Sequence, residues 1–134
     1  MQVRFMLNVA LLSLMSFISC SLNQKGKFID PELLPGVYVD NIDRRDSIFI
    51  YPDHGYRHTF HHKDGSIKDQ SGKWYYKEDV GDLFLDDFIF FNDATLNKGE
   101  YFSGTWPTQV LITTDGKLRL RYSEDVFYVK SETR

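Results

Sequence analysis

The sequence predicts an all-β domain, a small antiparallel meander of about eight strands that closes into a barrel or folds as a sandwich. Three observations predict it. From Pro35 onward the apolar residues recur with a period of two, not 3.6. Short apolar runs are separated by Gly, Asp and Pro turn signals. No long amphipathic helix is visible after the first twenty residues. The chain of 134 residues fits one domain, and its 16% aromatic content supplies large side chains for a small core. A net charge of −3 excludes a strongly basic nucleic-acid binder. A single cysteine excludes a disulfide framework and a cysteine-based zinc site.

The chain is expected to divide into a signal peptide over 1–19, a cysteine and tether over 20–33, and a barrel domain over 34–134. Arg4 gives the start one positive charge, and Phe5 to Ile18 is apolar apart from Asn8, Ser13 and Ser16. That run is too short to span a bilayer, which needs about 20 apolar residues, and has the shape of a secretory signal. Its end, Phe17-Ile18-Ser19-Cys20, resembles a bacterial lipobox in Ile18, Ser19 and Cys20, with Phe17 where Leu is usual. The resemblance implies that Cys20 becomes the lipid-bearing first residue of the mature chain, anchored in the cell envelope by its acyl chains. Ser21, in place of Asp, implies the outer membrane, facing the periplasm. The polar stretch Ser21 to Lys27 reads as a tether. Asp30-Pro31-Glu32 is a helix-start signal, but Pro35 limits it to one turn.

The strands follow in order. Gly36 to Val39 is the first, and Ser47 to Tyr51 the second, ended by Pro52. Asp53-His54-Gly55 turns the chain, with Gly55 expected to supply the positive φ. Tyr56 to His61 is the third strand, and Lys63 to Ser66 turns again. Trp74 to Tyr76 centres the fourth. Leu83 to Leu85 and Phe88 to Phe91 flank Asp86-Asp87. Two adjacent acids inside an apolar strand cannot both face a core, so a bulge is expected there. Asn92 to Pro107 reads as irregular. Val110 to Thr114, Asp115-Gly116 and Lys117 to Tyr122 form the clearest hairpin, with Leu118, Leu120 and Tyr122 on one face and Lys117, Arg119 and Arg121 on the solvent face. Val126 to Val129 is the last strand.

Several of these motifs resemble bacterial lipocalin-like domains in kind and order. They are Leu34-Pro35-Gly36-Val37-Tyr38 as the opening strand, Ser47 to Ile50 followed by Asp53 to Tyr56, Gly72-Lys73-Trp74, and Leu83-Phe84-Leu85. The resemblance spans roughly residues 34 to 130 and implies an antiparallel barrel or half-barrel. It leaves the ligand open, because such folds host many functions.

Candidate chemistry is sparse. His54, His58, His61 and His62 lie close in sequence, but one strand cannot bring such rings to a single ion. They are expected as surface and edge histidines, with no metal. Asp79, Asp82, Asp86, Asp87 and Asp93 read as a solvated acidic edge. No nucleophile motif or phosphate-cradling glycine loop is present, so neither catalytic residues nor a cofactor are expected. The expected function is a non-catalytic, lipid-anchored binding module of the immunity or inhibitor kind, meeting a protein partner through Tyr101, Phe102 and Trp106 with Asp86 and Asp87, unless Phe102 and Trp106 tuck inward to close the barrel end. The alternative is a carrier of a small apolar ligand, decided by whether Phe60, Trp74, Phe88 and Phe90 pack together or line a void.

Cys20→Ala is expected to abolish lipid labelling and release the protein from the membrane fraction. Unchanged sedimentation with membranes would refute the anchor.

Overall fold

The structure is a computed structural model and describes residues 28–91 and 103–132. The lipidation candidate Cys20 and the loop residues Tyr101 and Phe102 lie outside the described residues. Eight strands follow one another along the chain: β1 (Gly36–Asp40), β2 (Asp46–Ile50), β3 (Gly55–His61), β4 (Ile67–Lys77), β5 (Asp82–Ile89), β6 (Ser103–Ile112), β7 (Leu118–Arg121) and β8 (Phe127–Lys130). Each pairs antiparallel with the next, and β1 pairs with β8 through Val39 opposite Val129, so the meander closes into a barrel. Every strand finds both neighbours within Gly36–Lys130. The barrel therefore needs no strand from residues 1–27, and a protein beginning at Ser21 contains all of it.

The period of two sets the inside. Ile48 and Ile50 of β2, Leu83 and Leu85 of β5, and Leu118 and Leu120 of β7 alternate into the core. Beyond Leu85 the next inward residue is Phe88, an odd spacing that a plain strand cannot supply. The register shifts between Leu85 and Phe88, and Asp87 takes φ 56, so the expected bulge is present. β4 begins at Ile67, well before the Trp74 centre read from the sequence. Its first half is polar and largely exposed, and it is held by backbone pairing with β3 that leaves no hydrophobic pattern. β6 begins at Ser103, inside the stretch expected to be irregular, and Pro107 takes an exposed position opposite Phe84. In the β2–β3 turn the positive φ belongs to His54, at 63°, not to Gly55. The Asp53 side chain accepts the Gly55 N–H at 2.9 Å there and fixes the turn.

Gly72 is required by packing. A Cβ there would lie 2.5 Å from the Asp86 carbonyl oxygen and 2.6 Å from the Tyr56 ring. Tyr56 crosses the glycine to donate its hydroxyl to that carbonyl at 2.6 Å, which ties the bulge to β3. One end of the barrel is closed by the segment before β1. Pro31–Leu33 forms a 3-10 turn capped by Asp30, and Ile29 and Leu34 are buried in the core. Tyr38 donates to the Leu34 carbonyl at 2.7 Å. Ile29 thus joins the core from within the stretch read as tether.

Burial holds the Tyr38 phenol well above its ordinary value of 10.0 and pushes that of Tyr56 up to about 12. The folded state holds these protons more tightly than the unfolded chain does. Their contribution to stability is complete below pH 10 and is lost as the pH rises through the folded values. The urea midpoint is expected to be level just below pH 10 and to fall above it, with phenolate absorbance of these rings appearing together with unfolding. Full phenolate titration in a folded barrel would contradict this.

Candidate functional site

In an antiparallel meander the loops alternate between the two ends. The β1–β2 loop around Asp43, the β3–β4 loop around Lys63 and the β7–β8 loop around Ser123 all emerge opposite the Leu34 plug. At that mouth lies a cavity of about 530 Å³. Asp40, Asp46, Phe90, Phe91, Tyr122 and Tyr128 line it, and Arg45 and Lys63 contribute its cations. The middle of the barrel is filled. Phe88 packs on Trp106 with ring centres 4.5 Å apart and on Phe90 at 4.9 Å, and Trp106 meets Tyr128 at 6.0 Å. Trp74 sits toward the plugged end, stacked under His54 at 4.5 Å, and donates its indole N–H to the Tyr51 carbonyl. Of the four residues that test for a void, Phe88, Phe90 and Trp74 belong to the packed core, Phe60 is buried, and Phe90 alone also faces the cavity. Among the described residues, the cavity lies at the mouth rather than between these rings.

Beneath the cavity is a buried polar cluster that the sequence reading missed. His58, expected at the surface, is fully buried between the rings of Phe88 and Phe91, at 4.5 and 4.6 Å. Its Nδ1 lies 2.9 Å from the Ile89 carbonyl oxygen and its Nε2 lies 2.6 Å from Asp46 Oδ1. A carbonyl only accepts, so Nδ1 carries a proton. Nε2 and Asp46 then share a second proton across their short contact. Asp46 Oδ2 accepts from the Tyr128 hydroxyl at 2.9 Å. Burial, with the Asp46 carboxylate next to it, drives the Tyr128 phenol well above its ordinary value, so the hydroxyl remains a donor. Every polar atom in this chain is engaged, as buried polar groups require. One signal for it was legible: His58 lies between Tyr56 and Phe60 on the inward face of β3. Among the described residues no three His, Cys, Asp or Glu side chains are grouped to hold a metal ion.

The chain is similar to a lipocalin-like protein from Bacteroides uniformis, known from its crystal structure. The two are 15% identical and superpose with a TM-score of 0.51, over 75% of this chain and 98% of that one. The fold is lipocalin-like. No protein-family model matches the chain, and no curated protein does. At this identity the likeness concerns the fold and does not extend to the ligand.

The lipocalin-like barrel separates the residues that the sequence grouped as a binding surface. Trp106 is 8% exposed, lies on β6 and faces inward against Phe88, Phe90 and Tyr128. Asp86 is half-buried at the bulge and accepts from the Thr105 hydroxyl at 3.0 Å. Asp87 is exposed. None of these three lines the mouth cavity.

Asp46→Ala strands the His58 imidazole and the Tyr128 hydroxyl in the core, and is expected to cost about 3–5 kcal/mol. Asp46→Asn can donate its amide N–H to a neutral His58 and accept from Tyr128, and is expected to cost on the order of 1 kcal/mol. Urea denaturation of both variants checks this, and equal losses would contradict the hydrogen-bond assignment.

Proposed function

We propose that this chain is a lipid-anchored, non-catalytic lipocalin-like protein of the bacterial cell envelope that binds a small organic molecule in the mouth of its barrel. The observation that carries the reading is the cavity of about 530 Å³ above a filled interior. Its size falls within the roughly 300–1,000 Å³ of small-molecule sites. Its walls also have the usual make-up of such sites, with aromatic rings from Phe90, Phe91, Tyr122 and Tyr128 and a few placed charges. The ring area accommodates an apolar body, and the charges give it an orientation.

The absence of catalysis is supported by the engagement of the Asp46–His58 pair. Both His58 nitrogens are committed, and the one hydroxyl bonded to the pair is a phenol held far from ionisation. The lipobox-like end at Cys20 supports the anchor, and the polar stretch after it supports a barrel held close to the membrane surface. A protein-recognition role of the immunity or inhibitor kind draws less support, because Trp106 is committed to the core and Asp86 to Thr105.

The test is fluorescence enhancement of the neutral apolar probe N-phenyl-1-naphthylamine on the protein beginning at Ser21. Saturable binding is expected, and Val126→Trp, which adds bulk to the cavity wall from the β7–β8 loop, is expected to reduce it at least tenfold with little change in Tm. No saturable binding, or binding indifferent to Val126→Trp, would remove the cavity as the site.

A further inference from the structure

Among the described residues, not every charge around the cavity has a partner. Asp43 is held by Arg45, Nε to Oδ1 at 2.8 Å and a terminal nitrogen to Oδ2 at 2.5 Å. These contacts keep its carboxyl below the usual range, with Lys63 adding to the effect. The Arg45 guanidinium also lies over the Phe60 ring at 5.2 Å, so its position is fixed. Asp46 is held by His58 and Tyr128. Lys63 is exposed on the β3–β4 loop.

Asp40 differs. It is only 4% exposed, at the mouth end of β1, and it lines the cavity. One oxygen, Oδ1, accepts the backbone N–H groups of Ile42 and Asp43 at 2.7 and 2.9 Å and so shapes the β1–β2 turn. The other, Oδ2, takes no hydrogen bond, and no cation forms an ion pair with Asp40 among the described residues. A carboxylate withdrawn from water is ordinarily paired or fully hydrogen-bonded. Here one oxygen is, and Asp40 lines the cavity.

The walls beside it are aromatic. Phe90 and Tyr122 meet edge to face at 5.3 Å and 71°, and Tyr122 and Tyr128 at 6.5 Å and 72°. The three rings thus pack on one another edge to face and form an aromatic wall of the cavity. A ring face attracts a cation and offers an anion nothing. A buried carboxylate likewise repels an anion, and a wholly apolar guest would cover Asp40 without pairing it.

We propose that the mouth cavity selects an organic cation, an ammonium group on an apolar or aromatic body, with its charge beside Asp40 and its body against the aromatic wall of Phe90, Phe91 and Tyr122. This rests on the reading of the cavity as a ligand site and names the chemistry of the ligand. Lys63 opposes the guest's charge from the loop above and tunes the affinity downward.

The experiment is isothermal titration calorimetry of the protein beginning at Ser21 with phenyltrimethylammonium, its neutral isostere tert-butylbenzene and the anion benzenesulfonate. N-Phenyl-1-naphthylamine binding is measured alongside on each variant. The cation is expected to bind at least about tenfold more tightly than the isostere, and the anion most weakly. Asp40→Asn keeps an acceptor for the two backbone N–H groups, so it is expected to fold, to retain the neutral probe and to lose the preference for the cation. Lys63→Ala, at an exposed site, is expected to tighten the cation by about two- to threefold. If the neutral probe binds but the cation and its isostere bind equally, or if the preference survives Asp40→Asn, the proposal is overturned and the cavity reading stands. If neither the neutral probe nor the cation binds, both fall together.

Discussion

Asp46 and His58 meet at 2.6 Å inside the barrel, and the arrangement of the mouth depends on that contact. The aspartate opens β2, the histidine sits midway along β3, the other histidine nitrogen reaches a carbonyl at the end of β5, and Tyr128 on β8 completes the aspartate. Four of the eight strands are thereby fixed at one level by groups that cannot be left unpaired in a core. A hydrophobic contact tolerates sliding, whereas a fully satisfied polar network admits one register. The network also sets the depth at which packing ends, because Phe88 and Phe91 stack on the two faces of the imidazole and Tyr128 caps the aspartate.

Below that level the barrel is an ordinary core, closed at the far end by Ile29 and Leu34. Above it the lining changes to carboxylates, two cations and aromatic rings. The bulge at Asp86-Asp87 contributes to this division. By inserting an extra residue it turns Phe88 inward after Leu85, which places a ring against His58 and against Trp106. Tyr56 secures the bulge by crossing Gly72, a position where any side chain would collide. Core, network and mouth are therefore coupled through a small set of residues on β3, β4 and β5.

The functional reading follows from that division. A barrel filled to its rim would leave only its outer surface for recognition, and an empty one would admit a large apolar guest. Among the described residues this barrel is filled to the level of His58 and leaves a cavity above it. The mixture of rings and carboxylates there favours a guest with one charged end. Anchoring at Cys20 would hold such a site near a membrane, where amphipathic molecules concentrate.

The sequence by itself determined the all-β class, the positions of most strands, the one-turn start at Pro31 and the bulge, because each is a local matter of alternation and turn chemistry. It left β4 half read, since Ile67 to Lys73 is held by backbone pairing and its polar side chains carry no hydrophobic pattern. It read Trp106 within an irregular loop, as a binding residue or as an inward plug of the barrel end, because Pro107 and two nearby glycines break the strand pattern, although strand pairing tolerates a proline at an exposed position. It read His58 as a surface histidine and gave Asp40 and Asp46 no role. What these residues do depends on partners dozens of residues away, such as Ile89 and Tyr128, and only closure of the barrel brings those within hydrogen-bond distance. Local pattern decides which way a side chain points; tertiary structure decides what it meets there, and in this protein that difference separates a list of polar residues from a site.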